Sequence, residues 1–273
     1  MTGSQLTAAL AGLSHVVLDL DGTLYRGNRL FDATLPFLAQ LRAWNVGYTF
    51  LTNNTSRSRS DYVAKLRSFG IDTDESQIYT PADSTITYLR QHLPEAHSLA
   101  VLGTPSLCRQ FEEAGFRIDW NNPDAVIVGF DTTLTYERLC RAAWWISLGL
   151  PFIATHPDLV CPTDEPMVLV DCGAICACLT AATGRQPVVL GKPDPGILLD
   201  LCTRHGVAPS QMAMVGDRIY TDMAMAQRAG ALAVLVLSGE ATAADAAAMS
   251  QQPDLVVEDV GELGERIAAA RRR

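Results

Sequence analysis

Apolar residues in this chain fall into two alternating rhythms. Short uninterrupted runs read as strands: Val16–Leu20, which is expected to be buried, Val46–Leu51, SLAVLG from Ser98, Ala125–Gly129, Phe152–Thr155, Met212–Val215, Leu232–Leu237 and Leu255–Val257, with Val188–Leu190 opening a third stretch. Between them the apolar residues recur at helical spacing. Thr34–Trp44 carries Leu35, Leu38 and Leu41, with Pro36 tolerated in the first turn. Ser58–Phe69 turns Tyr62, Leu66 and Phe69 inward and stops at Gly70. Further helices are predicted over Ala82–His92, Thr104–Ala114 and Thr135–Leu148, the last with Tyr136, Leu139, Ala143 and Ile146 on one face. Trp144 and Trp145 then read as core or interdomain packing. Pro195–His205 is capped by Gly206, which gives His205 a simple structural role near the helix's negative end. Thr221–Ala229 and Glu262–Arg271 complete the set.

Strands alternating with helices imply an α/β protein with a parallel sheet covered on both faces. The rhythm restarts near Ser98, so a second α/β unit inserted into the first is expected. Interruptions at Thr80-Pro81 and Gly184–Pro187 place its borders, giving one domain from 1–80 and 188–273 and an inserted one over 81–187. HPDLVCPTDEP, from His156, has the Pro and Asp content of a loop. No internal repeat or low-complexity linker is seen.

Composition narrows the class. With 273 residues, 48% hydrophobic and 19% charged, the chain can bury a substantial core. A formal charge of −9 argues against general binding to nucleic acid or to an anionic membrane. No apolar run approaches the roughly 18 residues that a spanning helix needs. The N-terminal segment lacks a basic signal-peptide region, so the cytoplasm is the expected compartment. Seven scattered Cys fit free thiols there. Cys172 and Cys176 stand one helical turn apart and Cys178 is close by; a buried small-residue helix ending at Gly184 is favoured over a metal site. Arg271, Arg272 and Arg273 read as a frayed, solvated tail.

The chemistry begins at Asp19 and Asp21, two residues apart at the end of a strand run. Side chains at that spacing point the same way. Two like charges there need a cation or a shared proton, unless both are plain turn residues before Gly22. Thr52-Asn53-Asn54 and Asp217 also follow strands, and Gly191-Lys192-Pro193-Asp194-Pro195 precedes a helix. Open parallel sheets bind ligands beyond the C-terminal strand ends. Singly, each has a plain reading: a turn, a solvated lysine, or a cap for the helix near Thr221 in the case of Asp217 and Asp222. Together, in this order, they supply a nucleophile, further carboxylates, a hydroxyl donor and a cation.

This order resembles the haloacid dehalogenase (HAD) superfamily of phosphohydrolases along essentially the whole chain. DLDGTLYRG (19–27), LTNN (51–54), GKPDPGI (191–197) and GDRIYTD (216–222) are similar to its four motifs. TNNTSRS, VGFDTTLTYERL, ATHPD and DCGAICACLTAATGRQPVVLGKP resemble subclass IIA, which carries a large α/β cap between motifs II and III. That subclass includes p-nitrophenyl phosphatase-like, sugar-phosphate, nucleotide, phosphoglycolate and pyridoxal-phosphate phosphatases. The resemblance implies a Rossmann-like core with an inserted cap, and a Mg2+-dependent phosphomonoesterase for small phosphorylated metabolites. Asp19 would attack phosphorus to give an aspartyl-phosphate, and Asp21 would serve as general acid and then base. Thr52 and Lys192 would hold phosphate oxygens, and Asn53 would help position phosphate or substrate. Magnesium would be held by Asp19, the backbone carbonyl of Asp21 and Asp217, with Asp222 as ligand or support. Caps of this subclass often dimerise, which leaves a homodimer through the cap open.

Relatives often carry Pro-Gly in the cap's substrate loop, where this chain has Val170-Asp171-Cys172-Gly173. Asp171 there would favour a polyol or cationic leaving group. His156 could reach substrate, although a structural role is preferred. Dehalogenation has no use for a second acid at Asp21. A phosphotransferase or phosphomutase, or a non-catalytic phosphate-ligand binder, remains as the alternative; mutase relatives carry a helical cap after motif I, and a scaffold would be expected to lose one of the key residues.

Overall fold

A computed structural model describes residues 1–161 and 167–272. Part of the expected HPDLVCPTDEP loop (162–166) and Arg273 lie outside the described residues. The chain divides into two compact units. The first comprises Met1–Leu51, Val63–Tyr79 and the chain from Pro193 onward; the second comprises Thr52–Tyr62 and Thr80–Lys192. The second unit thus takes in a segment ahead of the expected border near 80. Thr55 Oγ1 accepts from the Phe130 N–H at 2.9 Å, one of the bonds that hold this segment there.

The first unit is built on a six-stranded sheet. Its order is Leu255–Val257, Leu232–Val236, Met212–Gly216, His15–Asp19, Gly47–Leu51 and Ile78–Tyr79, and every pairing is parallel. The chain starts in the middle, builds outward to one edge, then returns to build the other side. The order therefore reverses between His15–Asp19 and Met212–Gly216, and such a switch point opens a crevice at the C-terminal strand ends. Val17, Met212, Met214, Ala233 and Leu235 bury one face against Ile197, Leu198 and Leu201 of the Gly196–His205 helix and Met225 and Ala226 of Ala224–Ala229. The helix Val260–Arg271 packs against both Gly3–Ala11 and Thr34–Ala43.

In the second unit, Val188–Val189, Phe152–Ala154, Ala125–Val128, Ser98–Leu102 and Arg117–Ile118 form a five-stranded parallel sheet in that order. Strand alternation sorts its core. Leu99, Val101, Ala125 and Ile127 meet Ile86 and Leu89 of Pro81–His92 and Leu107 and Phe111 of Pro105–Glu113. Ala100, Leu102, Val126 and Val128 face Ala142 and Ile146 of Tyr136–Ser147 and Ile175, Cys176 and Leu179 of Cys172–Thr183. Burial on both faces explains why Ser98–Leu102, Ala125–Val128 and Phe152–Ala154 read as continuous apolar runs, whereas the edge strands are more exposed.

Several local expectations change. The face of Tyr136–Ser147 is rotated: Ala142 and Ile146 are buried, whereas Tyr136 is 81% and Trp144 59% exposed. Trp145 is partly buried, and its indole N–H donates to the Trp120 carbonyl at 3.1 Å. Leu35 lies largely outward, and Phe37 takes its place beside Leu38 and Leu41. Arg271 belongs to the last helix rather than a frayed tail, and its guanidinium donates to the Leu13 carbonyl at 2.6 Å. Expected Thr221–Ala229 is instead a π-helical turn, Ile219–Met223, running into Ala224–Ala229. Gly3–Ala11 and Ala243–Ala248 are additional helices, each opened by a Thr capping box whose T-x-x-Q or T-x-x-D pattern was available in the sequence. Among the described residues no helix is long and apolar enough to cross a membrane.

Candidate active site

In the first unit the site begins at the switch point. Leu18 pairs in register with Val215, so Asp19 ends one strand and Asp217 follows the end of its neighbour. Asp222 enters from the π-helical turn, where the extra residue in the turn accompanies a functional side chain. Ligand oxygens of Asp19, Asp217 and Asp222 all lie within 4.8 Å of one another. The capping role open to Asp217 and Asp222 is not the one they take. Asp217 Oδ2 accepts from the Glu240 N–H at 2.7 Å, and Asp222 Oδ2 accepts from the Arg218 N–H at 3.1 Å. Asp217 Oδ1 is buried and has no hydrogen-bond partner among the described residues.

Three glycines keep this space open. A Cβ on Gly22 or Gly239 would collide with the Asp217 carboxylate, and one on Gly216 with that of Asp222. Gly22 also has a φ of 93°, in the left-handed region, which lets its N–H reach the Tyr25 carbonyl at 2.7 Å. Gly22 was legible as a turn residue, but Gly239, in no motif, was not. Thr23 Oγ1 donates to Asp19 Oδ2 at 3.3 Å.

The electrostatics are those of crowded acids. Burial first, then the charges of Asp19 and Asp222, raise the Asp217 pKa to about 7 against the Glu240 N–H and Arg218. Desolvation also raises Asp21, whose residue surface is exposed; the Asp19 charge adds to the rise, while Lys65, the Gly27 N–H and Arg218 oppose it. The Lys65 ammonium rests over the Tyr25 ring, 4.0 Å from its centroid. Neither Lys65 nor Arg218 stood out in the sequence, since single cations on a helix or in a turn carry no pattern.

Thr52, Asn53 and Lys192 belong to the second unit, at the points where the chain passes between units. Thr52 is buried, with its hydroxyl 3.4 Å from that of Tyr62, and it also accepts from the Asn54 N–H at 3.1 Å. Asn53 and Lys192 meet directly: Lys192 N–H donates to Asn53 Oδ1 at 2.9 Å, and Asn53 Nδ2 donates to the Lys192 carbonyl at 3.1 Å. Asn53 Nδ2 is also 3.4 Å from both carboxylate oxygens of Asp158, a residue the sequence left inside a loop.

Asp171 corrects the reading of its loop, whereas His156 takes the structural place preferred for it. Asp171 is buried, N-caps Cys172–Thr183 through the Cys172 N–H, and meets His156 Nε2 at 2.9 Å, so it is not displayed to a leaving group. His156 is fully buried, with Nδ1 2.9 Å from Thr155 Oγ1. Burial opposes its charge, but Cys172 and the Asp171 carboxylate outweigh that and push it up to about 9. Cys172 and Cys176 are buried and Cys178 is exposed, and Gly184 ends the helix in a left-handed conformation.

A switch-point sheet with an aspartate cluster at its mouth defines a hydrolase of the HAD type. The model of haloacid dehalogenase-like hydrolases matches residues 16–117, and that of HAD-hydrolase-like proteins matches 189–263. The chain belongs to this family and is an enzyme of its phosphatase type. Among its relatives, the 5'-nucleotidase YutF of Bacillus subtilis is 34% identical over 82% of this chain and 86% of its own. The ribonucleotide monophosphatase NagD of Escherichia coli is 31% identical over 92% and 98%. The crystal structure of a 4-nitrophenylphosphatase from Thermotoga maritima superposes with a TM-score of 0.90 at 40% identity, covering 94% of this chain and 98% of that one.

Proposed function

We propose that the protein is a magnesium-dependent phosphomonoesterase acting on small phosphorylated metabolites through an aspartyl-phosphate. The observation that carries the reading is the buried, unpartnered Asp217 Oδ1 inside the Asp19–Asp217–Asp222 cluster. An all-oxygen donor set with an unsatisfied carboxylate oxygen fits a hard divalent cation. Asp19, Asp217 and Asp222, with the Asp21 backbone carbonyl, are the groups that would hold it. When bound, such an ion neutralises charge on the carboxylates and on the phosphate.

The chain's own residues divide the remaining work. Asp19 attacks phosphorus while the P–O ester bond breaks, and Asp21 gives its proton to the leaving oxygen. Its raised pKa favours a carboxyl that carries this proton at the start. Asp21 then takes a proton from water as the water oxygen attacks phosphorus, which releases inorganic phosphate and restores Asp19. Thr52 and Lys192 supply donors to phosphate oxygens. Nucleotides, sugar phosphates, phosphoglycolate and p-nitrophenyl phosphate are the substrates to compare. Nucleotides come first, because YutF and NagD are named for them.

Asp19→Asn tests the mechanism: p-nitrophenyl phosphate turnover should fall by at least about 10³-fold with the fold intact by circular dichroism. Near-normal turnover would overturn the covalent route. Activity that survives exhaustive EDTA treatment would overturn the metal assignment.

A further inference from the structure

We propose that the Asn53 side chain positions Lys192 rather than binding the substrate phosphate. The inference rests on the phosphatase reading for the role of Lys192 itself. An asparagine amide has two N–H donors and one carbonyl acceptor. Here the carbonyl oxygen accepts from the Lys192 N–H at 2.9 Å, and the amide nitrogen donates to the Lys192 carbonyl at 3.1 Å. Lys192 N–H can only donate and its carbonyl only accept, so the amide has one workable orientation. The same amide nitrogen faces both oxygens of the Asp158 carboxylate at 3.4 Å. Both N–H groups are thereby engaged. A phosphate oxygen needs a donor, and the Asn53 side chain has none left to offer without releasing Lys192 or Asp158.

The surroundings fit a clamp more than a binding group. Asn53 is 6% and Lys192 3% exposed, and the bonds join segments 139 residues apart in the chain. Gly191, with a φ of 75°, lies so close that a Cβ would collide with the Thr155 carbonyl and stand 2.9 Å from His156 Cβ and 3.1 Å from Asn53 Oδ1. That Thr155–His156 floor is itself pinned by the buried His156–Asp171 pair. Hydrogen bonds therefore run from the N-terminus of the Cys172–Thr183 helix, whose Gly173 N–H donates to the Asp158 carbonyl at 2.8 Å, through Asp158 and Asn53 to the Lys192 backbone. Fixing the Lys192 backbone at both its N–H and its carbonyl, one on each flanking peptide, leaves the ammonium only its own side-chain torsions to settle, the preorganisation that charge stabilisation requires.

A double-mutant cycle separates this role from direct phosphate contact. Asn53→Ala should lower kcat/KM for p-nitrophenyl phosphate by about 10- to 100-fold, the usual scale for a misplaced catalytic group. In a Lys192→Met background the same substitution should cost no more than about 3-fold, because the group it positions is gone. Equal fold-losses in both backgrounds would show that Asn53 acts on the substrate itself and would overturn the proposal. Asn53→Asp, which keeps the acceptor but loses both donors, should not rescue Asn53→Ala. Amide hydrogen exchange gives a readout independent of activity. The Lys192 N–H should exchange faster in Asn53→Ala while the Cys172–Thr183 helix keeps its protection. An unchanged Lys192 rate would mean there is no clamp, whereas a wild-type protein inactive on every phosphate ester would defeat the phosphatase reading and leave the exchange result to judge the clamp.

Discussion

Gly22→Ala probes the carboxylate cluster without removing any functional group. The new Cβ must enter space held by the Asp217 carboxylate, in a residue whose φ is 93°. The left-handed backbone costs about 1–2 kcal/mol for a residue with a Cβ. Asp217 must also turn away, and its bond from the Glu240 N–H at 2.7 Å is a charge-assisted one of the kind that contributes about 1.5–3 kcal/mol. The sum is roughly 2.5–5 kcal/mol. Gly230→Ala is the matched control: its φ is 72°, and a Cβ there meets nothing within 4 Å. It should show the backbone cost alone, so the two variants should differ by about 2 kcal/mol in chemical denaturation. Displacing Asp217 by even about 1 Å should lower kcat/KM on p-nitrophenyl phosphate by about 100-fold in Gly22→Ala and leave Gly230→Ala near wild type. Equal destabilisation of the two, with Gly22→Ala fully active, would refute the reasoning that Gly22 keeps room for Asp217.

Two further outcomes follow from buried polar pairs. His15 stacks on His205 with ring centroids 4.0 Å apart and bonds Thr49 at 2.9 Å. Burial first, and the His205 charge second, lower its pKa to about 4 from 6.5. Its folded pKa lies below its unfolded one, so the stability it contributes is complete above about pH 6.5 and is lost as pH falls toward 4. The loss is roughly 3 kcal/mol, and His15→Gln should flatten that limb in urea titrations between these pH values; an unchanged slope would assign it to other groups. Asp171→Ala should cost about 3–5 kcal/mol, because it strands a buried His156 and removes a helix cap. A loss under about 1 kcal/mol in guanidinium titration would show that His156 does not depend on this carboxylate.

Legibility tracked the range of the interactions involved. The strands Gly47–Leu51 and Ser98–Leu102 and the helix Pro81–His92 could be read because burial period, Pro and Gly act locally. Tyr136 and Trp144 were misplaced because an aromatic-rich helix offers more than one apolar face, and the sheet's choice of Ala142 and Ile146 is a tertiary one. Asp171 was misread for the same reason. Its acidity is visible in the sequence, but its partner His156 lies in another segment and turns a candidate recognition group into a buried strut.

By itself the sequence determined the α/β class, the two-residue spacing of Asp19 and Asp21, and the four segments that mark a HAD hydrolase. Each is a local pattern, written by strand alternation and by the side chains needed within a few residues. Only the tertiary structure decided which acids share one point, which glycines must stay bare beside Asp217, and that Asn53 grips Lys192. Those depend on strand order and on bonds between distant segments: the switch between His15–Asp19 and Met212–Gly216 brings Asp217 beside Asp19, and no period along the chain encodes that meeting.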